Sequence, residues 1–219
     1  MPGSWEICQN NQVLVGILHT DQVSTAWSLG LRNLIIPGQI LPVAGMPYDM
    51  ARNSICRAAL DGGYKWCFHL DSDVITSRDT ILRLMAHNLP IVSGVYCRRS
   101  PPAGVPVMIK NGAWVTNYPP NTLFEVDLVG AGCLLLRRDF LEKLPPLDAK
   151  RGKHWFDWRV DMAGLIPQGE ALSEDFAMNL HARKNGWKVM VDTSIMCKHV
   201  GLAEAGYGSF QPCHANPNT

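Results

Sequence analysis

The run Trp66-Cys67-Phe68-His69-Leu70, closed by Asp71-Ser72-Asp73, constrains the fold more than any other segment. A short, nearly continuous apolar stretch bounded by polar residues reads as a strand buried on both faces, and such strands belong to sheets covered by helices on each side. Strand ends in such sheets face the ligand crevice. Two carboxylates spaced two apart point to one side of the chain, so both can approach one hard divalent cation or its waters. The competing reading is a turn or helix cap, which the spacing alone leaves at even odds.

The rest of the chain alternates strand and helix patterns. Val13 to Leu18 reads as a buried first strand followed by the turn His19-Thr20-Asp21. Asp49 is expected to cap a helix with Ala51, Ile55, Ala58 and Ala59 inward and Asn53, Arg57 and Asp61 outward; Gly62-Gly63 stops it. Thr76 and Asp79 suit the start of a helix carrying Ile81, Leu84 and Met85. Ile91 to Tyr96 is a further strand, and Val105 to Val115 a hairpin around Asn111-Gly112. Val126 to Leu136 is one long apolar segment holding Gly130-Ala131-Gly132, and Asp139 to Leu144 a helix stopped by Pro145-Pro146. Ser173 caps a helix with Phe176, Ala177 and Leu180 inward and Asn179 and Arg183 outward. Lys188 to Val191 and Ile195 to Cys197 read as two short strands. The alternation predicts an α/β fold, a central mixed, mostly parallel sheet flanked by helices.

Composition excludes some functions. Twenty basic residues against 19 acidic ones give no polycationic surface, so nucleic acid is not expected as primary partner. The seven cysteines are scattered without a CxxC pair, which removes zinc-ribbon and redox-motif readings. They suggest free thiols and a reducing, cytoplasmic setting. No signal-peptide pattern opens the chain and no apolar stretch nears the ~20 residues of a membrane span.

Other candidates carry two readings each. Ser173-Glu174-Asp175 is good helix-start chemistry; it also places Asp175 as a general base beside Glu174. His199 is a structural histidine or a metal ligand in a mixed nitrogen and oxygen shell that suits Mn²⁺. Gly130-Ala131-Gly132 marks a bulge or lets a sugar lie against bare backbone. Arg52 and Asn53 decorate a helix face or reach a phosphate or base. Trp155, Phe156 and Trp158, in the stretch from Asp148 to Leu172, form a satellite core or a platform for sugar stacking.

The order of these features, with Ala51-Arg52-Asn53, FHLDSD, Gly-x-Gly followed by Leu134-Leu135-Leu136-Arg137-Arg138, SED, Asn185-Gly186-Trp187 and His199, resembles the GT-A glycosyltransferases, family-two-like, over residues 10 to 201. The resemblance implies one catalytic domain over 1–201, with a nucleotide- and metal-binding half over 10–96, an acceptor and catalytic half over 97–201, and a tail over 202–219. It implies a metal-dependent transferase moving a hexose-type sugar from a nucleoside-diphosphate sugar, UDP- or GDP-linked, to a saccharide or other hydroxyl acceptor. Asp73 and His199 would hold Mn²⁺ or Mg²⁺, and Asp71 would contact the ribose or a water on the metal. His19, Thr20, Arg52, Asn53, Asp71, Ser72, Gly130, Ala131 and Gly132 would line the donor. Asp175 would be the base of an inverting displacement, with Glu174 supporting it. The first strand ends in His19-Thr20 where that family commonly has Pro-Thr or Pro-Ser, and the acidic residue usual in its second strand is not evident between Asn33 and Val43. The rival readings are a sugar-phosphate nucleotidyltransferase, which would want a Gly-rich basic loop after the first strand, and a non-catalytic carbohydrate-binding protein.

Overall fold

The computed structural model describes residues 12–20, 22–99, 104–158 and 173–200. The strands are β1 (Val13–Leu18), β2 (Gly38–Val43), β3 (Trp66–Asp71), β4 (Val74–Ile75), β5 (Ile91–Val95), β6 (Met108–Lys110), β7 (Ala113–Trp114), β8 (Leu123–Val126), β9 (Leu128–Val129), β10 (Cys133–Arg137), β11 (Val189–Met196) and β12 (Lys198–His199). The α-helices are α1 (Thr25–Asn33), α2 (Tyr48–Asp61), α3 (Thr80–Ala86), α4 (Arg138–Lys143) and α5 (Glu174–Lys184).

Seven strands form the central sheet in the order β2-β1-β3-β10-β5-β11-β8. β1 is parallel to both β2 and β3, and β5 is parallel to β11. β10 runs antiparallel between β3 and β5, and β8 runs antiparallel to β11. Because β3 and β5 both oppose β10, β2, β1, β3, β5 and β11 all point one way. The sheet is therefore mixed and mostly parallel, and strands from both parts of the sequence interleave in it.

Period-two alternation splits the core into two layers. Leu14, Cys67, Leu134 and Leu136 face α2, which contributes Ala51, Ile55, Cys56 and Ala59. Val15, Phe68, Leu70 and Leu135 face the opposite side, where Trp27 of α1 and Ile81 and Leu84 of α3 cover them. The apolar run of β3 is continuous because both of its faces are dry, only Asp71 at its end being partly open.

Several local expectations are corrected. Asp49 does not cap α2: Pro47 is the cap residue, and Asp49 lies inside the first turn, bonding the Met50 N–H and Lys153. The helix α1 has no counterpart in the sequence reading; Ser24 caps it through the Trp27 N–H. The segment after Val126 is not one run but two strands, β9 and β10, broken at Gly130-Ala131-Gly132. The two short strands expected over 188–197 are one, β11, with its register shifting between Asp192 and Met196. The Asn111-Gly112 turn joins β6 to β7 with φ of 53° and 74°, the positive pair a type I′ turn demands. Cys97 is disulfide-bonded, which removes the argument from cysteine usage to a reducing compartment. No helix among the described residues is long and apolar enough to cross a membrane. The whole 159–172 stretch and the tail from Gly201 onward lie outside the described residues.

Candidate functional site

Asp71 ends β3, and the turn after it carries Ser72 and Asp73 to the rim of the sheet. β12 pairs back onto β4 with His199 opposite Val74, which brings the histidine beside that turn. The N-terminus of α5 delivers Glu174 and Asp175 to the same place. Together these residues, with Arg52, Tyr96 and Arg99, line one cavity of about 660 Å³. Residues separated by more than a hundred positions thus meet over the strand ends.

Arg52 organises the acids. Its guanidinium is 4% exposed and bonds Asp71 Oδ1 through Nη2 at 3.0 Å and Glu174 Oε1 through Nε at 2.9 Å. Burial alone would lower its pKa, but the charges of Asp71, Glu174 and Asp175 outweigh that and raise it. A guanidinium rather than an ammonium suits this place, because its planar fork serves two carboxylates at once. The chain therefore uses Arg52 as an internal counter-ion, not as a surface group.

Glu174 and Asp175 are held differently. Asp175 accepts from the Ala131 N–H at 3.0 Å through Oδ2, and from the Phe176 N–H at 2.8 Å and the Ser173 hydroxyl through Oδ1. Its orientation is fixed by these donors. Ser173 stands at the cap position but turns its hydroxyl to Asp175, making no side-chain cap bond. Glu174 keeps one oxygen on Arg52, and its carboxyl is pushed up to about 7, by burial first and by neighbouring Asp175 second.

At the other side of the cavity, Asp73 Oδ1 stands 3.4 Å from His199 Nε2, and Asp73 Oδ2 3.0 Å from an Arg99 Nη2. Burial raises the Asp73 pKa, but the bond and charge of His199, with Arg99, outweigh it and lower the net value. His199 Nδ1 lies 2.6 Å from the Cys97 carbonyl. A carbonyl only accepts, so Nδ1 carries a proton, and Nε2 is the nitrogen left facing Asp73. That arrangement, with a backbone carbonyl on the far nitrogen, is the usual one for a metal-ligating imidazole. Asp73 and His199 are the residues at this edge that could hold a divalent cation. Asp71 stands apart, its Oδ1 taken by Arg52; among the described residues these three side chains do not close into a compact trio of donors.

The remaining candidates take other places. His19 and Thr20 line a second cavity, also about 660 Å³, with Ala44 to Tyr48; Tyr48 borders both cavities. Asn53 reaches neither. Its amide donates to the Phe156 and Asp49 carbonyls at 2.8 and 2.7 Å, and its oxygen accepts from the Trp155 and Phe156 N–H groups at 2.9 and 3.3 Å. It is a brace that pins Trp155 and Phe156 into the core. Of the three aromatic residues there, only Trp158 stays open, 43% exposed, with its ring 6.5 Å from that of Tyr48.

The glycines at 130 and 132 do not leave room for a sugar: Tyr96 fills that space. A Cβ on Gly130 would overlap the Tyr96 hydroxyl, and one on Gly132 would sit 2.9 Å from Tyr96 Cζ and 3.1 Å from Asp71 Oδ2. The Gly132 N–H donates to the Tyr96 hydroxyl at 3.0 Å. Between the glycines, Ala131 gives its N–H to Asp175 and its carbonyl to Arg52 Nη1 at 3.5 Å. The Gly-Ala-Gly stretch is the backbone cradle of the acidic pair.

Sequence reasoning missed Tyr96, Arg98 and Arg99, all of which line the main cavity. The available signal was the aromatic and basic run that follows the strand over 91–95, at the same sheet edge as Asp71. Tyr96 is buried, and burial, then Asp175 and Asp71, raise its phenol well above the usual range. Arg98 lays its guanidinium 4.5 Å from the Trp114 ring centre.

The mixed, mostly parallel seven-stranded sheet flanked by helices has the GT-A glycosyltransferase fold, as comparison with solved structures shows. A197 from STIV superposes with a TM-score of 0.59 at 16% identity, over 87% of this chain and 86% of that one. GalNAc-T7, solved with UDP, GalNAc and Mn²⁺, gives a TM-score of 0.56 at 9% identity, over 87% of this chain and 44% of that longer one. No family profile and no curated protein sequence matches the chain.

Proposed function

We propose that the chain is a metal-dependent glycosyltransferase that moves a sugar from a nucleoside-diphosphate sugar to an acceptor hydroxyl with inversion. The observation that carries this reading is the meeting of Asp73 and His199 with Glu174 and Asp175 around one cavity. A binding protein would have no need of both pairs.

The donor's base sits in the cavity lined by His19 and Thr20, and its diphosphate passes Tyr48 into the main cavity toward Asp73 and His199. A bound Mn²⁺ or Mg²⁺ would be held there and would offset the charge of the departing diphosphate. Arg99 turns from Asp73 to the phosphates as they arrive. Asp71 stays on Arg52 and serves the ribose. Asp175, locked by its three donors, retains lone pairs on Oδ2 to take the acceptor proton as the acceptor oxygen attacks the anomeric carbon. Glu174 positions that acceptor hydroxyl. The exposed Trp158 and Tyr48 rings give the acceptor sugar an apolar face to lie on.

The test is the Asp175→Asn variant. It should bind the donor as the unaltered protein does, read by nucleotide-induced thermal shift with Mn²⁺, while turnover falls by roughly 10²–10⁴. Full turnover in the variant would exclude Asp175 as base. Stabilisation by nucleoside triphosphates but not by diphosphate-sugars would instead favour a nucleotidyltransferase.

A further inference from the structure

Beneath the main cavity lies a second group of chemically active side chains that the transferase reading does not use. Cys56 of α2 and Cys67 and His69 of β3 are all 0% exposed. His69 Nε2 is 3.4 Å from Cys56 Sγ and 3.7 Å from Cys67 Sγ, and the three donor atoms all lie within 4.8 Å of one another. Among the described residues no other trio of histidine, cysteine or acidic groups comes so close.

We propose that Cys56, Cys67 and His69 form a binding site for a thiophilic cation of the Zn²⁺ or Cu⁺ kind, separate from the hard-metal pair Asp73 and His199. The dimensions fit. Zinc bonds sulfur at about 2.3 Å and imidazole nitrogen at about 2.0–2.1 Å, so at tetrahedral angles the two donors stand about 3.5–3.6 Å apart. The two observed separations bracket that value. The donor set is two sulfurs and a nitrogen with no carboxylate, which selects soft cations and rejects Mg²⁺ and Mn²⁺. Two thiolates with Zn²⁺, or one thiolate and one thiol with Cu⁺, make a neutral group, as so dry a place requires.

A core histidine held only by hydrogen bonds explains the geometry less well. Nε2 meets nothing but two sulfurs, which are weak partners, and the buried Nδ1 has no hydrogen-bond partner. Burial pushes the Cys56 thiol up, whereas Cys67 is pulled down against its own burial by the hydrogen bond to Cys56 and the charge of His69.

The position gives the site a consequence. Cys56 is one helical turn beyond Arg52, and Cys67, His69 and Asp71 alternate along β3 on one face. An ion here would tie α2 to β3 directly under the Arg52–Asp71 pair. Because all three donors are sealed from solvent, the ion enters as the chain folds.

The experiment is therefore done on the 219-residue chain, unfolded with its Cys97 disulfide intact and refolded in the absence of air with Zn²⁺, Cu⁺ or Co²⁺, then freed of loose metal. Native mass spectrometry should show a single retained ion, and the cobalt form should show thiolate-to-cobalt charge-transfer absorption. X-ray absorption at the metal edge should give a shell of two sulfurs and a nitrogen, which needs no variant. Cys67→Ser should lose the ion, while Asp73→Ala, which removes the hard-metal carboxylate, should leave the cobalt band in place. No retained ion with any of the three metals, an oxygen-only shell, or undiminished binding in a folded Cys67→Ser variant would each overturn the proposal.

Discussion

Replacing Glu174 by Gln isolates the cost of placing a carboxylate beside Asp175 in a dry site. The Glu174 side chain is 5% exposed, and its carboxyl titrates near 7 in place of 4.5. That difference, at about 1.4 kcal/mol per pH unit, amounts to about 3 kcal/mol, net of the attraction of Arg52. The folded protein holds this proton more tightly than the unfolded chain. Glu174 therefore adds its stability in full below about pH 4.5 and loses it as pH rises through about 7. Gln keeps an oxygen for Arg52 and has no proton to lose. The gap between Glu174→Gln and the unaltered protein should move in favour of the variant by about 2.5 kcal/mol between pH 5 and pH 8. Urea unfolding at both pH values reads this directly, and at pH 8 Tm should shift by roughly 2–4 °C per kcal/mol for a chain of this size. Glu174 is coupled to Asp175, so the difference reports the acid pair rather than one carboxyl alone. A gap that stays constant within about 0.5 kcal/mol would show that Arg52 cancels the burial of Glu174 and that the acid pair carries no stored cost.

His199→Ala should weaken Mn²⁺-dependent nucleotide binding in a thermal-shift titration while leaving Tm without ligand nearly unchanged, because the ring is held mainly by the Cys97 carbonyl; an unaltered Mn²⁺ response would remove His199 from the metal site. Asn53→Ala strips partners from the Trp155 and Phe156 backbone and should cost about 2–3 kcal/mol in urea unfolding, against under about 0.5 kcal/mol if water replaces those bonds. Trp158→Ala should raise KM for the acceptor with little effect on donor affinity, since its exposed ring has little packing to lose; equal acceptor KM would end its role as a platform.

What could be read from the chain followed the physics of each signal. β3 and its terminal acids were visible because a strand dry on both faces leaves an unbroken apolar run, and Asp71-Ser72-Asp73 interrupts it abruptly. Ser173-Glu174-Asp175 was visible because helix starts favour these residues, although Ser173 spends its hydroxyl on Asp175 instead of the backbone. Asn179 was expected on an outer face, yet it is fully buried and donates to the Val129 carbonyl at 2.8 Å. Helical periodicity fails there because nearly all of α5 is enclosed, leaving little polar face to read. Arg52 showed helix spacing but not its partners, which lie 19 and 122 positions away. Tyr96 was absorbed into a strand pattern, since nothing local marks a phenol that will fill the space over two distant glycines.

That last fit reaches beyond this one molecule. The ring at 96 fills space beside the missing side chains at 130 and 132, with Val107 and Val74 closing the rest, so neither glycine can drift alone. In any set of descendants of this chain, a residue larger than glycine at either position should arrive with a smaller side chain at 96 and with room made at Val107 for position 130 or at Val74 for position 132. Lineages that made this exchange would have rebuilt the strand end beside Asp71, and correlated substitution at these positions would mark where the cavity has been reshaped.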